Sequence, residues 1–265
     1  MNWRVLLFAL AALAPAAGAC TRPFIVPVSP IGLSVTIQGS AIGGIYPDVL
    51  RSIGEKSGCE FQLAAVPRAR QEAMFEAGKA DLLMPASRTP RRDQHGYFIA
   101  LVGSRAMLLS LGAEQAPITS AAQLLARREL RVAVVRGFDY GEPYLALLDE
   151  LKKQGRLYYE SDPVGVARLL KAKYADVTIM APIILFGATQ GDQRVSDIAD
   201  KIRSSALAEI DWGQSGIYIS KHSVTPEDRA RLEQLLTDAV KAGTVWDAFK
   251  RRYPVNILSD SIRQR

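Results

Sequence analysis

Helix and strand signals alternate along this chain, and that rhythm narrows the possible folds more than any other feature. The apolar run Phe24 to Val28 reads as a strand. Over Ile45 to Ser57, the residues Ile45, Val49, Leu50 and Ile53 share one helical face, with Pro47 near the start and Gly58 at the end. Pro67 opens a second helix that stops at Gly78, and the strand "ADLLM" follows. After "RAMLLSL" the pattern restarts: helix "SAAQLLARR", strand "LRVAVV", helix "GEPYLALLDELKKQG", strand "RLYYE", helix "PVGVARLLKA", strand "VTIM". Strands separated by helical patterns of about 10–15 residues mean βαβ units and mostly parallel sheets. "FEAGKADLLMPA" and "LKAKYADVTIMAP" share one rhythm of helix end, acid, apolar strand and proline, which fits two similar lobes better than one continuous sheet. Late in the chain come a strand, "GQSGIYISK", a long helix from Thr225-Pro226 to Gly243, and a shorter closing helix whose Trp246 and Phe249 read as core.

Residues 1–19, "MNWRVLLFALAALAPAAGA", read as a secretory signal peptide. Arg4 precedes an apolar stretch too short to span a bilayer, and Ala17-Gly18-Ala19 gives a small-x-small cleavage pattern. Export to the periplasm is the expectation. Cleavage leaves Cys20 first, with Cys59 the other cysteine. Two cysteines in an exported chain suggest a disulfide. Lipid attachment at Cys20 is the alternative, although Ala17 stands where a lipobox usually carries Leu. The net charge of +6 invites a nucleic-acid reading, but Lys and Arg are scattered rather than gathered on one face, so a solvated basic surface is expected and no nucleic acid.

The order of these features resembles the family 3 extracellular solute-binding proteins, the periplasmic amino-acid-binding type that serves ABC transporters. The matching residues are Ala73, Gly78 and Asp81, the strand Leu82 to Met84, and then Ser87-Arg88-Thr89-Pro90-Arg91-Arg92. Later "LRVAVVRG", "ADVTIMAP" and "GIYISK…AVKAGTVWDAFKRRYP" follow the family's order over nearly all of the mature chain. The resemblance implies an α/β, two-lobed periplasmic-binding-protein type II fold with two hinge strands. The first lobe would combine 20–111 with 207–265, and the second would be 112–206. The hinges are expected near Leu109 to Ala113 and near Ser205 to Trp212. It implies a monomer that captures a small carboxylate-bearing ligand, an amino acid or related organic anion, between the lobes and delivers it to an ABC permease. A ligand-sensing subunit for a membrane sensor is one alternative, and a small cleft enzyme such as a dehydratase is another.

"SRTPRR" has a physical reason of its own. Thr89 can cap a helix whose first residue is Pro90, and an arginine in the first turn offers a two-pronged fork that matches a carboxylate. The family motif places Arg92 at the carboxylate anchor with Ser87 and Thr89 beside it, and leaves Arg88 and Arg91 as surface residues. Two departures stand out. The acid that commonly takes a ligand's α-ammonium is replaced by Ala181, and Arg68 falls near a position that is often aromatic. The ligand is therefore either an anion without an ordinary α-amino-acid head, or one whose ammonium is met by Asp139, which Phe138 and Tyr140 flank for stacking. Asp81 and Asp176 read as structural, and Asp211 as a partner of the crossover backbone. No cofactor or metal is expected, since His95 and His222 lack metal-ligand spacing. No nucleophile elbow or phosphate loop occurs, so no enzyme is expected; the dehydratase alternative would rest on Glu209 or Asp139 as a cleft acid.

Overall fold

The computed structural model describes residues 20–112 and 117–265. The expected signal peptide, 1–19, and Ala113 at the end of the first expected hinge lie outside them. The chain first forms β1 (Phe24–Val28), a hairpin of β2 (Thr36–Gln38) and β3 (Ala41–Gly43), α1 (Ile45–Ser57), β4 (Phe61–Ala65), α2 (Arg68–Glu76), β5 (Leu82–Ser87), α3 (Pro90–His95) and β6 (Gly96–Ser104). The middle holds β7 (Met107–Leu111), α4 (Ala121–Ala126), β8 (Val132–Val135), α5 (Glu142–Lys153), β9 (Leu157–Glu160), α6 (Pro163–Lys171), β10 (Val177–Met180), α7 (Pro182–Gly191), a 3-10 turn (Ser196–Lys201) and β11 (Ile202–Ser205). Closing the chain are β12 (Gly213–Ser220), α8 (Pro226–Lys241), α9 (Thr244–Arg252), α10 (Val255–Ser261) and β13 (Ile262–Arg263). Among the described residues, no helix is long and apolar enough to cross a membrane.

The middle of the chain makes a five-stranded sheet in the order β11-β7-β10-β8-β9. The two ends of the chain share a four-stranded sheet, β13-β6-β12-β5, and the parallel pair β1-β4 lies beside β5. Pairing is mixed. It is parallel where βαβ units build the sheet, at β1-β4, β8-β9 and β8-β10. It is antiparallel where β6, β7, β11 and β12 carry the chain between sheets. The first crossing falls at 105–106, upstream of the expected hinge: β6 ends at Ser104, and Met107–Leu111 already pairs with β10 and β11. The second crossing runs from Ser205 to Gly213.

The seam between β1 and β5 explains why α2 carries so many buried polar groups. Pro27 and Pro85 have no N–H to give, so a regular ladder cannot form there. Gln71, fully buried, donates instead to the carbonyls of Pro27 (2.9 Å) and Met84 (2.8 Å), and Arg68 donates to that of Pro85 (2.8 Å). At the other end of the seam, Asp81 accepts from Arg22 through both Nη atoms (2.7 and 2.8 Å), from the Ile25 N–H (2.7 Å) and from Ser223 Oγ (2.7 Å). Burial pushes the Asp81 carboxyl up, but these bonds outweigh it and hold it below the usual range. Asp176 is tied similarly, accepting from the backbone and guanidinium of Arg131 (2.8 and 3.0 Å).

Local chemistry sets the helix ends. Thr89 Oγ1 accepts from the Arg92 N–H (3.3 Å), Asp162 from Gly165 (2.9 Å) and Thr225 Oγ1 from Asp228 (3.2 Å). Asp228 does not complete a capping box; its carboxylate reaches the N–H and hydroxyl of Thr21 and holds the N-terminal segment against α8. Cys20 and Cys59 form the disulfide, so the sulfur that a lipid thioether would need is already bonded.

Candidate functional site

A narrow cleft lies between the two sheet systems. Its walls come from the β5–α3 turn and α2 on one side, and from the loop before α5 and the start of α7 on the other. Of the residues expected to bind ligand, Arg68, Ser87, Arg92, Phe138, Asp139 and Tyr140 border this cleft. Thr89 does not. It is buried beside the cleft, where its hydroxyl caps α3 and its N–H donates to Tyr218 Oη (3.1 Å). Of the remaining loop arginines, Arg88 is exposed and pairs with Asp93 (3.2 Å). Arg91 is half-exposed, donating to Glu76 (2.7 Å) and reaching over to Asp139 Oδ2 (3.3 Å).

Arg92 is 1 % exposed, and each nitrogen of its guanidinium donates at least one hydrogen bond. Nε and Nη2 donate to Oε2 and Oε1 of Glu72 (3.1 and 2.7 Å), while Nη1 donates to the carbonyls of Ser87 (2.9 Å) and Asp139 (3.2 Å). The first pair is the fork-on-carboxylate geometry that the sequence led one to expect for a ligand. Here the chain's own Glu72 fills it. Arg68 shares the same carboxylate, its Nη2 donating to Glu72 Oε1, while its Nη1 goes to Pro85 and Gln71. The Arg68 Nε, by contrast, is buried and has no hydrogen-bond partner among the described residues.

One carboxylate thus serves two buried guanidiniums, and their electrostatics differ accordingly. Burial pushes the Glu72 carboxyl up, yet Arg68 and Arg92 together hold it below its usual value. Burial pushes Arg92 down, but Glu72, its hydrogen bond and Asp139 outweigh that and raise it. Arg68 ends up lowered, because burial and the like charge of Arg92 exceed what its share of Glu72 returns. Arg68 is the less compensated of the two cations.

Asp139 is 4 % exposed, and its carboxylate is also committed: Oδ1 accepts the Gly141 N–H (2.8 Å) and Oδ2 the Arg91 Nε–H. Phe138 stands edge-on to Tyr140 (centroids 6.0 Å), and Tyr140 edge-on to Tyr144 (5.1 Å). Tyr140 is hydrogen-bonded to the backbone of Ala181, and burial raises its hydroxyl well above the usual phenol value. Ala181 itself borders the cleft as the N-cap of α7. The two acids outside this set take no part in the cleft wall. Glu209 is exposed and accepts the Ala121 N–H (2.9 Å), and Asp211 accepts the Trp212 N–H (2.6 Å).

Sequence reasoning missed Glu72, Tyr46 and Ser215. Arg68 and Glu72 stand four apart on α2, so that pair was available as an i,i+4 signal. Tyr46 Oη and Ser215 Oγ meet at 3.2 Å across 169 residues, and no local pattern announces that. Burial raises the Tyr46 hydroxyl to about 12, against a smaller lowering by the Ser215 bond.

No protein-family model matches the chain, and no curated protein matches it by sequence. Solved structures do match in fold. The arginine-, lysine-, histidine-binding protein ArtJ of Geobacillus stearothermophilus superposes with a TM-score of 0.69 at 15 % identity, covering 88 % of this chain and 95 % of that one. An amino acid ABC transporter substrate-binding protein of Streptococcus pneumoniae, AbpA, bound to L-arginine, gives 0.67 at 16 % identity over 86 % and 94 %. A histidine kinase sensor domain with similarity to periplasmic binding proteins gives 0.68 at 17 % identity, again over 86 % and 94 %. The fold is the two-lobed periplasmic-binding-protein type II arrangement, with mixed sheets.

Proposed function

We propose that this protein is a solute-binding protein of the periplasm, a monomer that captures a small carboxylate-bearing ligand between two lobes and delivers it to an ABC importer. The observation that carries the reading is the cleft wall, where two arginines that are almost wholly buried share one carboxylate. Guanidiniums shut away from water are costly for a fold to keep, and a water-poor positive wall makes an anion's charge count for more than it would at the surface. The fold neighbours that bind amino acids or serve ABC transporters support the same reading.

In this proposal the five-stranded sheet and its helices form one lobe, and the sheet shared by both chain ends forms the other. The crossings at 105–106 and between Ser205 and Gly213 act as hinges. Closure brings the Asp139 carbonyl onto Arg92 Nη1 and the Asp139 carboxylate onto Arg91. Ser87, Phe138 and Tyr140 line the space that remains. Export through the 1–19 leader would supply the oxidising compartment in which Cys20 and Cys59 stay paired.

Small-angle scattering and thermal melting of the purified protein, with and without a panel of amino acids and small organic acids, test the reading. A ligand that raises the melting temperature and compacts the particle is the expected result. If no small molecule in the panel or in an extract changes either quantity, the capture reading is refuted.

A further inference from the structure

The cleft holds a specific imbalance. Among the described residues that line it, Asp139 is the only acid, and both of its carboxylate oxygens are already used. Ala181, at the start of α7, offers the cleft only a methyl group. An ammonium brought here would face the guanidiniums of Arg68 and Arg92 with no free carboxylate to receive it, and like charges in a water-poor site repel strongly. Donors, in contrast, remain. The Arg68 Nε–H is buried without a partner, and the hydroxyls of Tyr46, Ser87 and Ser215 border the same space. Apart from Ser34 and Ser104, the rest of the wall is largely apolar, with Ile31, Phe138, Ile183, Ile184, Phe249 and Ile262.

We infer that the ligand is a small monocarboxylate with an apolar body and no α-ammonium group, and that Arg68, not Arg92, receives its carboxylate. The inference rests on the capture reading above and narrows it. Glu72 occupies the Arg92 fork as a built-in carboxylate, so Arg92 positions Glu72 and the Asp139 carbonyl while Arg68 keeps a donor in reserve. A buried donor left unpaired by the fold gains a full hydrogen bond when a ligand supplies the acceptor, because no water bond has to be given up. Arg68 is also the cation with the smaller share of Glu72, and its lowered pKa agrees with that. The solute enters as the lobes part and is enclosed as they close.

The test is calorimetric titration with 4-methylpentanoate and 3-phenylpropionate against their amino-acid counterparts, leucine and phenylalanine. The deaminated acids are expected to bind, with each amino acid about tenfold weaker or worse. Arg68→Gln should weaken the acids about 10- to 100-fold. Arg68→Lys, which keeps the charge but removes the Nε donor, should fall between, and circular dichroism checks that both variants fold. Ala181→Phe, which fills the cleft, should abolish binding. If leucine or phenylalanine binds as well as its acid and Ala181→Phe removes that binding, the inference is overturned and the capture reading stands. The same holds if the acids bind in the cleft but neither Arg68 variant weakens them. If none of the four probes binds, the inference is overturned, and the broader panel and extract decide the capture reading.

Discussion

Replacing Glu72 by Gln tests the charge architecture of the site without any knowledge of the ligand. The Glu72 carboxylate receives Arg68 Nη2 and Arg92 Nη2 on Oε1 and Arg92 Nε on Oε2, with Arg91 Nη2 3.7 Å away. Gln keeps one acceptor oxygen but presents an NH₂ where Arg92 needs the other, and it deletes the only carboxylate among the described residues that Arg68 touches. A unit-charge pair about 4 Å apart contributes about 4 kcal/mol at an effective dielectric constant near 20. Removing one member of a buried pair typically costs about 3–5 kcal/mol. At about 2–4 °C per kcal/mol for a chain of this size, the variant should melt roughly 6–20 °C lower at pH 7. The pH dependence carries a sign. The Glu72 carboxyl is held below its unfolded value, so its contribution is complete above the unfolded pKa, about 4.3, and is lost as pH falls through the lower folded value. Urea denaturation of both proteins from pH 7 to pH 3 should therefore show a gap that is full at neutrality and closes in acid. A variant that melts within about 2 °C of the parent at pH 7 would refute the shared-carboxylate argument, as would a gap that does not shrink.

Further outcomes follow from individual contacts. A Cβ on Gly187 would sit 2.5 Å from the Leu33 nitrogen and 2.7 Å from Gly32 Cα, so Gly187→Ala should hold the lobes apart at a cost of about 1–3 kcal/mol to closure. Any cleft ligand should then bind about 5- to 150-fold more weakly, and a scattering profile identical to the parent's would contradict the contact. The Cys20–Cys59 bond spans a sequence separation of 39, for which chain entropy predicts about 4 kcal/mol; urea unfolding of the Cys20→Ser, Cys59→Ser double variant should show it. Arg92→Ala should destabilise the fold by about 3 kcal/mol as well as disturb the cleft, because it strips Glu72 of its bidentate partner; a variant as stable as the parent would show that the fork is not formed.

How much of this was legible in the sequence depends on how local each signal was. Helix starts such as Thr89-Pro90 and Asp162-Pro163 were readable because a cap acts within three residues. The βαβ rhythm was readable because each strand and helix reports its own burial period. The first crossing was misplaced for the converse reason: "MLLSL" is equally apolar in either sheet, and only its pairing with Val177–Met180 and Ile202–Ser205 fixes where it belongs. Arg92 was recognised as a cleft residue, but its partner stands 20 positions earlier, on another helix, and Arg68–Glu72 taken alone looks like an ordinary surface pair.

The reason for Glu72 lies in the seam beside it. Because Pro27 and Pro85 interrupt the ladder between β1 and β5, α2 must turn polar groups inward, and Gln71 and Arg68 satisfy the stranded carbonyls. An arginine drawn into the core for that purpose needs a counter-charge, and one helical turn further along α2 supplies it at position 72. The same carboxylate then lies within reach of Arg92 from the capped turn of α3, and the two requirements merge into one shared ion cluster. The arginine fork of the β5–α3 turn is thereby closed by a structural need of the sheet. On the inference drawn above, anion binding falls instead to Arg68, whose Nε the seam leaves unused.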